Sequence, residues 1–266
     1  MRILVTNDDG ILAEGLWTLV RELKNIFRVT VVAPDRERSG VGTAVTLRQV
    51  LRVQRVSPRV PEIEAYSIDG TPADSVILAL GKLVKERVDL VISGINQGLN
   101  LGEDVHISGT VGAALQGHLY GLPALAISTA FGDSHSLETA AKVGTLLVKK
   151  MAARSLPSNI FLNVNIPGLE QKSKISGVKI TRLARESHIN TVERGDDGRQ
   201  EYYWLLRREI DETEKTQDSK TDIGAIKDGY ISITPLYTNW FNKPPVHLLN
   251  DLCSDLMQEL KIMGLG

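Results

Sequence analysis

An α/β fold, a Rossmann-like and mainly parallel sheet with helices on both faces plus a C-terminal β-hairpin and helix extension, is what this chain predicts, and three observations predict it. The chain opens on a short aliphatic and β-branched run, Arg2-Ile3-Leu4-Val5-Thr6, bounded by the turn signal Asn7-Asp8-Asp9-Gly10; a buried central strand of a parallel sheet reads this way. Apolar runs of strand length then alternate with stretches of helical spacing over residues 1–170, the pattern of repeated βαβ units. Finally, 266 residues of which 42% are hydrophobic are enough for one large α/β domain with a sizeable core.

Taken in order, Leu12, Leu16, Leu19, Val20 and Leu23 recur at helical spacing after the acidic turn, and Phe27 to Ala33 gives a second apolar strand. That strand runs into Pro34-Asp35-Arg36-Glu37-Arg38-Ser39-Gly40, a polar loop that doubly wound topology places on the same rim as Asn7 to Gly10. Leu47 to Val53 and Tyr66 to Asp69 read as strands separated by a turn-rich Ser57 to Pro61 segment. Thr71-Pro72-Ala73-Asp74 predicts a helix start, with Thr71 as N-cap, Pro72 at the first helical position and Asp74 completing a capping box, which makes Asp74 structural. That helix continues through Val76, Ile77, Leu80 and Val84, and Val88 to Ser93 is the next buried strand. Val111 to Leu119 is a small-residue helix, Ala124 to Ser128 a strand, Ser136 to Ala153 a long helix and Ile160 to Val164 a further strand. Beyond this the character changes. Tyr202-Tyr203-Trp204-Leu205-Leu206 reads as one arm of an exposed hairpin, Asp211 to Asp222 as a solvated loop and Tyr230 to Thr234 as a last strand. Leu249, Leu252, Cys253, Leu256, Leu260 and Met263 mark an amphipathic terminal helix. The predicted organisation is one α/β domain over 1–266, with a core and site in 1–170 and an extension in 171–266 whose aromatic arm suits a subunit interface.

The chemistry gathers where strands end. Asp8 and Asp9 cannot both face one side of a regular strand, so convergence on a ligand needs the turn that Gly10 permits. Two carboxylates side by side in a partly desolvated cleft repel, and a divalent cation relieves that repulsion where otherwise one would hold a proton. The pair therefore predicts a hard-metal site, although these four residues are also ordinary turn and cap chemistry. The loop Ser93-Gly94-Ile95-Asn96-Gln97-Gly98-Leu99-Asn100 is too polar to be built for packing. Asn96, just past its strand, is best placed to offer an amide oxygen to Mg²⁺, Mn²⁺ or Ca²⁺. Ser108-Gly109-Thr110 stands at a helix N-terminus and reads equally as a cap or as a phosphate site.

Other chemistries are excluded or left without support. Gly40-Val41-Gly42-Thr43 lacks the third glycine of a dinucleotide fingerprint and the lysine of a P-loop. His106, His118, His135, His188 and His247 show no metal-ligand pair spacing, and neither Ser39 nor Ser108 sits in a nucleophile elbow. With net charge −1 nothing marks a nucleic-acid or membrane surface. A lone Cys253 excludes an intrachain disulfide, and with no leader and no run of about 18 apolar residues the expectation is a cytoplasmic protein.

Several ordered motifs in one chain carry a resemblance. They are Arg2 to Gly10, Ala33 to Gly40, Asp69-Gly70-Thr71-Pro72-Ala73-Asp74, Ser93-Gly94-Ile95-Asn96 with Gly98 and Asn100, and Ser108-Gly109-Thr110-Val111-Gly112-Ala113-Ala114. Weaker agreement runs through Tyr202-Tyr203-Trp204 and Gly229 to Leu236. The chain resembles the SurE (survival protein) family of metal-dependent nucleotidases over most of its length. The resemblance implies a Rossmann-like core, a C-terminal hairpin or helix exchanged between subunits, one divalent metal held by Asp8, Asp9, Ser39 and Asn96, and phosphate held by Ser108, Gly109 and Thr110. It implies dephosphorylation of nucleoside 5′- and 3′-monophosphates, with short-chain polyphosphate an extra substrate of some members. The chain departs from the family pattern at Ile107, where an aromatic usually precedes Ser-Gly-Thr, at Tyr237-Thr238-Asn239 and at Leu206-Arg207.

The combined expectation is phosphomonoester hydrolysis, with Asp8, Asp9 and Asn96 catalytic and one Mg²⁺ or Mn²⁺ per subunit, since all-oxygen ligation favours these over zinc. The expected assembly is a homodimer or homotetramer acting on nucleoside monophosphates, with no nucleic-acid polymer and no membrane as partner. A receiver-like module that accepts a phosphoryl group on aspartate, and a nucleotide-binding protein without catalysis, are the alternatives the same segments allow.

Overall fold

The computed structural model describes residues 1–131, 134–168, 175–187, 189–198, 200–207, 218–238 and 250–265. His188, His247, Leu249, Asn239 and most of the Asp211 to Asp222 tract lie outside the described residues.

The mainly parallel sheet has nine strands in the order β3-β4-β2-β1-β5-β6-β7-β11-β8. Its strands are β1 (Arg2–Thr6), β2 (Arg28–Pro34), β3 (Val53–Arg55), β4 (Glu64–Ile68), β5 (Leu90–Gln97), β6 (Ala124–Thr129), β7 (Phe161–Ile166), β8 (Gly177–Ile180) and β11 (Tyr230–Pro235). Strands β4, β2, β1, β5, β6 and β7 are parallel neighbours, while β3 and β11 join them antiparallel. A separate antiparallel hairpin pairs β9 (Ile189–Asp196) with β10 (Glu201–Arg207). β1 lies between β2 and β5, so the chain winds outward from β1 in both directions, and the crevice past the ends of β1 and β5 is the topological switch point.

The two sheet faces are covered by different helices. Helices α1 (Glu14–Lys24), α4 (Ser134–Ala152) and α6 (Asn250–Ile262) cover Ile3, Val5, Ile92, Ile127, Val164 and Ile233. On the opposite face α2 (Pro72–Leu78) and α3 (Gly109–Leu119) pack on Leu4, Val91, Ala124 and Ala126. The small residues of α3 permit this approach, because a side chain at Gly117 would stand 2.6 Å from Val91 Cβ. A short α5 (Asp222–Lys227) closes on β11 and β7. Among the described residues no helix is long and apolar enough to cross a membrane.

Several elements differ from the sequence reading. Leu12 is 68% exposed and precedes α1, because Ala13 is the N-cap and the helix begins only at Glu14. Of the expected strand Leu47 to Val53, only Val53 pairs, against the edge of the five-residue β4, leaving Leu47 and Val50 in solvent. The capping box at Thr71 and Asp74 forms as expected, and Asp74 also accepts from Thr46 N–H (2.9 Å) and O–H (2.6 Å). Asp222, read as part of a solvated loop, is fully buried and opens α5 behind its N-cap Thr221. The terminal helix α6 seats Leu252, Leu256 and Leu260 in the main core.

Candidate active site

A cavity of about 530 Å³ opens at the switch point and is lined by Asp8, Asp9, Ser39, Asn96 and Ser108. They arrive from the ends of three strands, β1, β2 and β5, and from the start of α3. Asp8 and Asp9 follow β1, where Asn7 Nδ2 donates to Gly10 O (3.0 Å) and tightens the turn. The Pro34 to Gly40 loop is tied to that turn by Arg38 N–H on Asp8 O (2.7 Å) and Ile11 N–H on Pro34 O (2.8 Å), which brings Ser39 to the rim. Gly10, at φ +93°, has the Arg36 backbone 2.8 Å from where a Cβ would stand, so only glycine lets the two loops close.

Asn96 reaches the cavity by a route the sequence did not disclose. Strand β5 does not end at Ser93 but continues to Gln97 through a bulge. Ser93 pairs with Ala126 and Asn96 with Ser128, so three steps along β5 match two along β6. One extra residue reverses the alternation of side chains. Thr6 pairs with Ser93, so the polar face continues through Asn96 instead of turning it into the apolar layer of Ile92 and Ile127. Asn96 Nδ2 donates to Gly98 O (2.5 Å), leaving its amide oxygen as the acceptor available on the cavity side.

The turn at the start of α3 does more than either sequence reading required. Ser108 Oγ accepts from Val111 N–H (3.1 Å) as N-cap. Thr110 is fully buried and is not on the cavity wall; its hydroxyl donates to Asp8 Oδ1 (2.5 Å), and its backbone also hydrogen-bonds that carboxylate. A side chain at Gly109 would stand 2.7 Å from Asp8 Cβ, so glycine is what lets the helix end meet the carboxylate.

The electrostatics are those of crowded acids. Burial raises the Asp8 carboxyl above the ordinary carboxylate range, against the lowering hydrogen bonds from Thr110. Asp9 is pushed up to about 7, first by burial, then by the charges of Asp8 and Glu37, with a backbone hydrogen bond from Gln97 opposing. Glu37 was not singled out from the sequence, yet it lines the cavity and accepts from Ser39 Oγ (2.8 Å). Its position in a rim loop was the available signal. Glu14, Asp104 and Phe131 also line the cavity, and for Phe131 the only signal was a place just past the carboxyl end of a strand. No Lys, Arg or His side chain is among the described lining residues. Among the described residues no group of three or more His, Cys, Asp and Glu is placed to hold a metal; the oxygens that could hold a cation here are those of the two carboxylates with the Ser39 hydroxyl and the Asn96 amide. That donor set is hard and oxygen-only, and it fits Mg²⁺ or Mn²⁺.

The arrangement matches a known family. The family model for survival protein SurE aligns with residues 3–190 of the chain. This chain belongs to the SurE family. The 5′-nucleotidase SurE of Dehalococcoides mccartyi (strain CBDB1) is 52% identical over 246 residues, 92% of this chain and 91% of that protein. The 5′-nucleotidase SurE of Thermoanaerobacter sp. (strain X514) is 43% identical over 251 residues, 94% of this chain and 97% of that one. The crystal structure of the SurE protein from Aquifex aeolicus shares the fold with a TM-score of 0.75 at 35% identity, covering 99% of this chain and 100% of that chain. Within the SurE fold of this chain, the acidic turn, the Ser39 loop, the β5 bulge and the α3 N-terminus converge on one cavity.

Proposed function

We propose that this chain is a divalent-metal-dependent phosphomonoesterase that releases phosphate from nucleoside 5′-monophosphates, and also from 3′-monophosphates and short-chain polyphosphate. The observation that carries the reading is the pairing of Asp8 with Asp9, both raised by burial, in a cavity whose described lining has no cationic side chain. A phosphate monoester dianion is repelled from such a wall unless a cation is present. A divalent ion held by Asp8, Asp9, Ser39 and Asn96 supplies, when bound, charge neutralisation, polarisation of a phosphoryl oxygen and acidification of the attacking water.

The chain's own residues prepare this site. Thr110 fixes the orientation of Asp8 through its hydroxyl. Glu37 takes the Ser39 hydroxyl proton into a hydrogen bond, which leaves the lone pairs of Ser39 Oγ for a cation. Gly98 O does the same for Asn96 by engaging its amide nitrogen. The Ser108-Gly109-Thr110 turn receives the phosphoryl group: Ser108 keeps its own hydroxyl proton to donate, and the positive end of α3 favours the anion. The implied order is cation first, nucleotide second.

Phosphate release from a panel of nucleoside 5′- and 3′-monophosphates tests this, using chelator-stripped protein with Mg²⁺, Mn²⁺ or no metal restored. Release only with metal is the expected result; no release with any metal, from folded protein, overturns it and favours a non-catalytic nucleotide-binding protein. The reading includes a cytoplasmic homodimer or homotetramer. It draws on the free Cys253 and on the hairpin, where Tyr203, Trp204 and Leu205 are exposed outside the main sheet. A monomeric mass in light scattering would remove the oligomer from it.

A further inference from the structure

The cavity is larger than a phosphate and a cation require, and most of the residues that line it carry polar side chains. Phe131 is the largest and most exposed of the apolar side chains that join them, beside Ala13 and Ile107: it is 78% exposed, two residues past the end of β6, and lines the same cavity as Asp8 and Asn96. Its ring is held on one side. Phe131 Cε2 and Cζ lie 3.3 and 3.5 Å from where a Cβ on Gly98 would stand, so the ring rests on a residue that has no side chain. Gly98 is itself fixed, with its N–H on Thr129 O (2.8 Å) and its carbonyl accepting from Asn96 Nδ2 (2.5 Å). The remainder of the ring faces water.

We infer that Phe131 is the stacking platform for the nucleobase of the substrate, set beside the Asn96 end of the cavity. This rests on the nucleotidase reading and adds to it the residue that recognises the leaving nucleoside. An aromatic face left in solvent at the mouth of a cavity lowers its exposed area when a flat π-system covers it. The cavity volume of about 530 Å³ is within the range of small-molecule sites. Stacking is tolerant, because every base presents a π-face, and its strength follows ring size more than hydrogen-bonding pattern. The site therefore accepts purine and pyrimidine nucleotides, favouring purines by a modest factor.

Two measurements on the full chain test the inference. In steady-state kinetics with Mn²⁺, F131A is expected to raise KM for adenosine 5′-monophosphate about tenfold with kcat within about twofold. The same change should leave ribose 5-phosphate, which has no base, unaffected. Equal effects on the two substrates, or no effect on the nucleotide, overturn the inference. The second measurement is independent of turnover: the indole fluorescence of F131W should be quenched saturably by adenosine and not by ribose, beyond any response of the wild-type protein. Absence of that quench also overturns the inference. Quenching in a protein that releases no phosphate keeps the stacking platform and discards the phosphomonoesterase. A smaller oligomer mass for F131A would assign the ring to a subunit contact instead.

Discussion

Asp8 and Asp222 make an instructive pair. Both are buried, Asp222 opening α5 and Asp8 meeting the first residues of α3, and burial raises both carboxyls above their ordinary range. Their surroundings differ in kind. Asp222 accepts from three backbone N–H groups, Gly102 and Ala184 at 2.8 Å and Ile223 at 2.9 Å, so its charge is closed off by donors and it ties α5 to two distant segments. Asp8 is held by Thr110 but faces Asp9 and Glu37 across an open cavity. Burial of a carboxylate is therefore no mark of function by itself. The mark is a charge placed among like charges with room left for something else, and the saturated aspartates, Asp222 and Asp74, provide the contrast.

That contrast can be broken by exchanging the consequences of mutation. D9N should lower kcat on the order of 10³-fold and leave the fold intact, with the metal-free protein slightly more stable because a repulsion is gone; full activity in D9N would contradict the metal role. D222A should do the opposite, with turnover by the folded enzyme unchanged and a stability loss of about 3 kcal/mol in urea, since three backbone donors lose their acceptor. A G109A variant lies between the two, because its Cβ would press on Asp8; calorimetric Mn²⁺ titration should show affinity about tenfold weaker.

The smallest expected effect is a pH dependence. With Asp9 raised to about 7, metal-free native protein holds a proton that the unfolded chain, with an ordinary value of 3.8, has released. This stabilisation is complete below about pH 4 and is lost as pH rises through about 7. The metal-free Tm should thus fall by a few degrees between about pH 5 and 8. Mn²⁺ competes with that proton, so its apparent affinity should rise over the same interval, and D9N should lose this Asp9 contribution to the slope.

The sheet and most of its helices were legible in the sequence because their signals are local: the period of the apolar residues in α1 and α4, the small residues of α3 behind Ser108, and the Thr71 to Asp74 cap. The clustering of Asp8, Asp9, Ser39 and Ser108 was legible too, since each follows the carboxyl end of a strand or begins a helix on one rim, whereas Asn96 joins them only through the bulge within β5. What escaped depends on partners far away in sequence. Leu47 to Val53 has strand-like composition, but pairing needs an edge, and β4 offers one only to Val53–Arg55. Asp222 looked solvated because Gly102, 120 residues away, supplies one of its donors. The Thr110 hydroxyl looked free in the sequence, as cap or phosphate donor, because nothing local shows that Asp8 engages it.

The bulge in β5 gives this chain an unusual kind of constraint. Because one additional residue between Ser93 and Asn96 decides which layer position 96 enters, what is fixed over this stretch is a count as much as a composition. Deleting one residue there would preserve every neighbouring side chain and still turn the amide toward α1 and α4. Mutational libraries should therefore find this strand end far less tolerant of insertions and deletions than of substitutions, a frame-like sensitivity confined to a few peptide units.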